Sequence, residues 1–413
     1  MVTKYDVFEF VYTNRHPVRP IEVAKKFKKN ESEYDNIHRL LTELTQESLL
    51  TKTSYGFQAK KTENANLLYQ IIYHCLSNDI SYNNLLNPGL AQFVSRALQK
   101  KEITSSDVNL HAVTLRKYID ILYKNGLLLI ISEKPLRIRV FYNVLLNNLL
   151  VYFGYKHKVI TEDTTNYLEE IKKELVKFKK LKRENEFKYQ QIISEFEVSF
   201  IHHSLALEGN PITLNETKKI LKDKIIPANL KSEDIDEVKN YQKSLLQMLK
   251  DSYDKNPITL PTILDYHFLA MQHNPKIAGK IRKIEVHISG NPNFKITKAE
   301  NIEKELEELI KKYNEFIKKE KASVKEILNF TVYFHNEFQH IHPFEDGNSR
   351  TTRLITFYLL QSKDIPILDI PFGLLDEYLG YTKGARVRED KKLLSNLQKT
   401  ILFNLKKINE MLI

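Results

Sequence analysis

Cysteine, tryptophan, glycine and proline are all scarce in this chain of 413 residues: one Cys, no Trp, 11 Gly and 13 Pro. The lone Cys75 excludes a disulfide framework within the chain. With so few Gly and Pro, loop-dominated and low-complexity architectures are excluded, and most of the chain should be regular structure. Long apolar runs are missing too. The longest, Leu127 to Ile131 with its neighbours, falls far short of the roughly 20 residues a bilayer requires, so no membrane partner is expected. The opening residues Met1-Val-Thr-Lys-Tyr-Asp-Val carry an acid early and lack the apolar core of a signal peptide, which makes the cytoplasm the expected compartment. Neither a Walker-type Gly-Lys-Ser/Thr loop nor a dinucleotide Gly-x-Gly-x-x-Gly occurs.

What is present is ordinary globular material, 42% apolar and 28% charged. At roughly 100–200 residues per domain, the length suggests two to four domains. The net charge of +11 is spread unevenly, with 20 basic and 14 acidic side chains in the first 150 residues. That excess is compatible with a nucleic-acid partner, although on charge alone a Lys- and Asn-rich composition is the better explanation.

The periodicities divide the chain into modules. Residues 1–65 read as three helices and a hairpin: Val2 to Tyr12, a second helix opened by Pro20, a third from Glu31 to Leu49, then Leu50 to Phe57 around Ser-Tyr-Gly. Residues 66–150 repeat the scheme, with helices over 67–76, 84–98 and 112–123 and strands at Leu127 to Ser132 and Leu136 to Phe141. Both units resemble winged helix-turn-helix modules, whose last helix usually enters the DNA major groove. Residues 151–195 read as a connector, and the spacing predicts one long Lys-rich helix from Asn166 to Phe200. Ile284, Val286 and Ile288 alternate with polar residues, which predicts a strand or hairpin within Gly279 to Gly290.

The chemistry concentrates between Ser323 and Gln361. Ser323-Val-Lys-Glu326 is a capping box, and apolar residues at helical spacing follow as far as Phe338. Pro343 stops that helix near His342, the polar loop Pro343-Phe-Glu-Asp-Gly-Asn348 follows, and a second helix runs from about Ser349. Gly347 and Asn348 precede a helix N-terminus, where N–H groups and the macrodipole favour an anion. Arg350 and Arg353 are three apart, on one helical face, able to reach the same anion. Asp346 offers a hard carboxylate oxygen for Mg²⁺, His342 a base near neutral pH, and Phe344 an anchor for the loop. Such equipment suggests nucleotide-dependent transfer to a hydroxyl. His335, His340 and His342 fall on different faces around a helix end, which argues against a zinc site, and His202-His203 reads as a structural pair.

The run His342-Pro-Phe-Glu-Asp-Gly-Asn-Ser-Arg350, with Arg353 after it, resembles the signature of the Fic family. Ser349 stands where that family usually has Gly or Lys. The resemblance implies transfer of AMP from ATP to a Ser, Thr or Tyr hydroxyl of a target protein. His342 would deprotonate the acceptor, and Asp346 would hold Mg²⁺ on the phosphates. The region of Phe344, Gly347, Asn348 and Ser349, together with Arg350 and Arg353, would bind the nucleotide. The segment Lys280 to Ser289 would be the flap that takes the target by strand addition. Ser204-Leu-Ala-Leu-Glu208-Gly209-Asn210 resembles the family's inhibitory helix, with Ser204 and Glu208 one turn apart and Gly209 a normal helix stop. By resemblance, Glu208 would pair with Arg353 in place of the γ-phosphate, and the same glutamate orients water in members that remove AMP. For the base, the family's Tyr would be Tyr378 in Asp376-Glu-Tyr378, and Arg386 stands where an Asn is usual, so UTP or GTP stays open beside ATP.

The expectation is therefore a mainly α protein: two winged helix-like α+β modules, a connector, and a Fic-type helical core with a β-hairpin flap over residues 196–413. Its function would be that of a self-inhibited adenylyltransferase using ATP and Mg²⁺. The rival is a DNA-binding regulator whose core senses nucleotide or serves as an interaction domain, and a homodimer is compatible with either.

Overall fold

The computed structural model describes residues 2–28, 34–156, 166–288, 291–366, 369–385 and 387–413. The chain folds into two units, one of residues 1–100, 106–125 and 144–159, the other of 101–105, 126–143 and 160–413. The architecture is mainly α with small antiparallel sheets.

The first unit opens with α1 (Lys4–Thr13), α2 (Pro20–Lys26) and α3 (Tyr34–Gln46), followed by the hairpin β1 (Leu50–Thr53) and β2 (Gly56–Ala59). Thr3 and Asp6 form a capping box on α1, and Pro20 occupies the first turn of α2, where its missing N–H costs nothing. The hairpin is in register from Leu50–Ala59 to Thr53–Gly56, and Val18 bridges to Phe57 through a pair of backbone bonds of 2.7 and 2.8 Å. Beyond it lie α4 (Glu63–Ser77), α5 (Tyr82–Leu85), α6 (Pro88–Ala97), α7 (Ala112–Lys124) and α8 (Val144–Tyr152). The single helix expected over 84–98 is broken at Asn87. Its side chain caps α6 through Leu90 N–H, and Pro88 cannot supply the N–H that would continue α5.

The second unit holds β3 (Ile103–Thr104), β4 (Leu128–Glu133) and β5 (Leu136–Val140), a sheet in the order β3-β5-β4. Its helices are α9 (Leu168–Glu184), α10 (Glu186–Ala206), α11 (Leu214–Lys218), α12 (Ser232–Tyr253), α13 (Leu260–Ala270), α14 (Ile302–Ile317), α15 (Val324–Ile341), α16 (Asn348–Ser362), α17 (Leu375–Tyr381) and α18 (Asp390–Leu412). The long helix expected over 166–200 is two, α9 and α10. Asn185 interrupts them, its side-chain amide competing for the Leu181 carbonyl at 3.3 Å. Helix α16 is buried on every side, packed against α10, α12, α13 and α15, so it is the axis of the unit.

The expected flap hairpin carries no strand pairing among its described residues, and Ser289 and Gly290 lie outside them. Alternation does not produce one buried face there, because Ile284 stays 56% exposed while Ile288 is buried. Among the described residues no helix is long and apolar enough to cross a membrane.

Candidate active site

Helix α15 starts on the Ser323–Glu326 capping box and ends where Pro343 forbids another turn. His342 is its C-cap, in the left-handed region at φ 49°, ψ 60°, with its N–H on Phe338 O at 3.0 Å. A non-glycine residue held there marks a backbone the surroundings over-determine. The ring is half-buried, and burial pulls its pKa down to about 4, with the charge of Arg282 acting the same way. At neutral pH it is an uncharged imidazole. Gln339 O, 3.4 Å from Nδ1, is an acceptor, which assigns the proton to Nδ1 and makes Nε2 the proton-accepting nitrogen of the ring.

Two contacts hold the loop between the helices in shape. Phe344 is buried flat against His267, ring centroids 3.7 Å apart and 4° from parallel. Asn348 clips the same residue, accepting from Phe344 N at 2.9 Å and donating to Phe344 O at 2.7 Å. Phe344 and Asn348 thus shape the loop with these groups. His267 adds a bond to Asp346 O at 2.9 Å while its Nδ1 accepts Gly279 N–H at 2.9 Å. Burial keeps His267 neutral, its pKa lowered to about 4.

Gly347 is the N-cap of α16 at φ 81°, and it brings no side chain to cap the helix. A Cβ there would stand 2.9 Å from Met271 Sδ and 3.0 Å from His267 Nε2, so both backbone angle and space demand glycine. The N-terminus of α16, which begins at Asn348 and the half-buried Ser349, thus has no side-chain cap, and an uncapped helix N-terminus favours an anion.

The two arginines of α16 are separately engaged. Arg350 spans Glu237 Oε1 and Asp346 Oδ2, each at 3.0 Å. Arg353 donates through Nε to Ser204 Oγ and through Nη2 to Ser204 O at 2.8 Å and Glu208 Oε1 at 3.0 Å. Lys383 Nζ takes the other oxygen of Glu208 at 3.0 Å. Burial by itself would raise the Glu208 pKa; Arg353, then Lys383, more than offset it and leave the carboxylate below its ordinary value. Ser204 also meets Tyr241 OH at 3.0 Å, and that hydroxyl donates to Arg350 O. Gly209, at φ 94°, ends the turn after α10 and touches none of these groups.

Asp346 is 64% exposed, with Oδ1 on Gly347 N–H and Oδ2 on Arg350. Among the described residues no three His, Cys, Asp or Glu side chains cluster to hold a metal. A single hard carboxylate at an anion-binding mouth suits Mg²⁺ held mainly by phosphates and water, and does not suit an all-protein cage.

The structure thus brings Ser204, Glu208, Asp346, Gly347, Arg350 and Arg353 together around the mouth that His342 borders. Tyr378 is buried, its hydroxyl bonded to His335 Nε2 at 2.8 Å. Arg386 lies outside the described residues. Sequence reasoning missed His267, Tyr241, Glu237, Arg282 and Lys383. Only Arg282 left a signal: it stands in phase with Ile284, Val286 and Ile288.

A mainly helical unit, with a histidine-ended helix facing an uncapped helix N-terminus across a clipped loop, is the class these observations define. Residues 257–360 match the Fic/DOC family profile, so that stretch of the chain is a Fic/DOC family domain. Over 186 residues it is 27% identical to a protein adenylyltransferase Fic of Drosophila persimilis, and 28% identical to that of Drosophila erecta. Each match takes in 45% of this chain but only 35% and 36% of the relative, so the chain spans about a third of the length of the curated relatives it matches. A Fic domain-containing signaling protein of Bacteroides thetaiotaomicron superposes with a TM-score of 0.51 at 22% identity, covering 59% of this chain and 96% of the other, which shows the fold.

Proposed function

We propose that this chain is a self-inhibited protein adenylyltransferase, transferring AMP from ATP to a Ser, Thr or Tyr hydroxyl of a target protein. The observation that carries the reading is the Glu208–Arg353 ion pair, 3.0 Å long, beside the loop of His342. In this reading His342 Nε2 takes the acceptor proton as the hydroxyl oxygen attacks the α-phosphorus. The bond from that phosphorus to the bridging oxygen breaks, and pyrophosphate leaves. The N–H groups of α16 lie along the developing phosphate charge, a position where fixed dipoles act most strongly. Asp346 would hold Mg²⁺, which supplies charge neutralisation on the phosphates. Arg353 would meet the outer phosphate once Glu208 leaves it, so the inhibited state and the productive one compete for a single guanidinium.

Incubation with α-labelled ATP and Mg²⁺, alone and with cell lysate, tests this. Label should appear with Glu208→Gly and vanish when His342→Ala is added. No label in any variant, whichever nucleotide is offered, would sink the reading.

A second reading, a DNA-binding regulator, draws on the bridge of Val18 to the β1–β2 hairpin beside α3, an arrangement compatible with a winged helix. Arg39 on α3 is already paired with Glu43 and Asn36. Retardation of duplex DNA by the full chain, weakening as salt rises, would support it; no retardation at low salt removes it.

A further inference from the structure

Arg282 is 1% exposed, in the segment that the family resemblance makes the flap. A guanidinium so enclosed is costly unless its donors are satisfied. Its nearest acid, Glu285, is 3.7 Å away with a side chain 61% exposed, which makes a weak partner. The donors go to backbone carbonyls instead. Nε reaches His342 O at 2.8 Å, Nη1 reaches Ile284 O at 2.9 Å, and Nη2 reaches Thr297 O. The backbone N–H of the same residue bonds Pro343 O at 2.9 Å. One side chain thus joins three stretches of chain: the catalytic loop, its own limb of the flap, and the limb that returns towards α14.

The returning limb is tied to the same place. Thr297 N–H donates to His340 O at 2.8 Å, His340 Nδ1 meets Lys295 O at 2.8 Å, and Phe294 stacks on the His340 ring at 4.5 Å. Both limbs therefore converge on the last turn of α15, whose C-cap is His342. The flap has no strand partner among its described residues, so these ties carry much of its placement. The carbonyl that Nε holds belongs to the one residue of the loop in a strained left-handed conformation.

We infer that Arg282 is a positioning residue, which locks the flap and the backbone of His342 into one unit and so fixes the distance between a flap-held acceptor segment and the base. The inference rests on the adenylyltransferase reading, in which the flap presents the acceptor. Only a planar fork can serve carbonyls in three directions; a lysine ammonium keeps the charge and loses the geometry. The proposed nucleotide contacts, on α16 and at Asp346, do not involve Arg282, so its loss should act on turnover and spare ATP binding. A misplacement of about 1 Å costs on the order of 10²-fold in rate.

The test uses the full chain carrying Glu208→Gly as parent, with and without Arg282→Lys. Transfer from α-labelled ATP with Mg²⁺ is read on the chain itself and on lysate proteins, and ATP affinity is read by calorimetry. We expect kcat to fall by about 10²-fold with Arg282→Lys while ATP affinity stays within about twofold. Equal transfer in both chains, or loss of ATP binding in step with loss of transfer, overturns the inference. If the parent itself transfers nothing, the adenylyltransferase reading fails, and the clamp is decided by ¹³C-histidine spectra of the same chains. A His342 ring signal, identified by its absence in His342→Ala, that moves with Arg282→Lys supports the clamp; an unmoved signal overturns it. Should Arg282→Lys not fold, ¹⁵N-arginine spectra of the unaltered chain decide. A slowly exchanging Arg282 Nε–H supports the clamp, and a rapidly exchanging one overturns it.

Discussion

Arg353 and Glu208 meet through a 3.0 Å bond from Nη2 to Oε1, although 145 residues separate them in the chain. The guanidinium is buried, and it also donates to Ser204, one helical turn before the glutamate. One cation is thus held by the last turn of α10 and the residues that end it.

Removing that glutamate should act on activity and stability in opposite directions. Glu208→Gly should raise AMP transfer by about 10- to 100-fold, in the range of ordinary coupling energies. It also leaves Arg353 buried without its carboxylate, a loss of roughly 3–5 kcal/mol for a broken buried pair. The melting temperature without nucleotide should therefore drop, and the upward shift on adding ATP should grow. Thermal melts with and without ATP decide it; an unchanged ATP shift counts against competition for Arg353.

Lys383 supports the same carboxylate from the other side at 3.0 Å, and its carbonyl accepts Asn291 Nδ2 at 2.9 Å. Lys383→Met should release the inhibition in part, raising transfer by a few-fold, below the gain from Glu208→Gly. Transfer equal to that of the unaltered chain would show that Arg353 alone holds Glu208.

His342→Ala should abolish transfer by about 10²- to 10⁴-fold, the usual worth of a general base, while ATP still binds. Calorimetry beside the label assay separates the two. Weakened ATP binding would place His342 in the nucleotide site.

Gly347→Ala should fail for reasons of shape. The φ of 81° disfavours any L side chain, and the Cβ would meet Met271 and His267. ATP affinity and melting temperature should both fall, because the same loop carries the anion site and the His267 contact. A variant that binds ATP normally would show that the α16 N-terminus is not the phosphate site.

Acid should destabilise the fold through buried histidines. Burial lowers the pKa of His202 to about 3 and that of His335 to about 4, against about 6.5 in the unfolded chain. The unfolded state therefore binds protons first as pH falls. The stability these neutral rings contribute is complete above pH 6.5 and is lost progressively towards pH 4, at about 1.4 kcal/mol per unit of difference and per group. Melting temperatures between pH 7.5 and 4 check it, and a flat curve would falsify the assignment of neutral buried rings.

The sequence alone determined the local architecture of the site. The Ser323–Glu326 box, the Pro343 stop and the Gly347 turn are short-range rules of capping and backbone sterics, and each operates as read. The spacing of Ser204 and Glu208 likewise put them one turn apart, with Ser204 in the last turn of α10 and Glu208 just past its end. Where local rules compete, reading failed: Asn185 and Asn87 end helices that apolar spacing alone would continue. The flap's alternation suggested a paired strand, yet among the described residues its limbs are held by side chains and by the end of α15. What only the tertiary structure decided is which distant groups share a charge or a carbonyl. Lys383 reaches Glu208 across 175 residues, and Arg282 reaches His342 across 60. Such meetings follow from how helices pack around α16, and no period or cap in the sequence encodes a contact whose partners approach only once that core has closed.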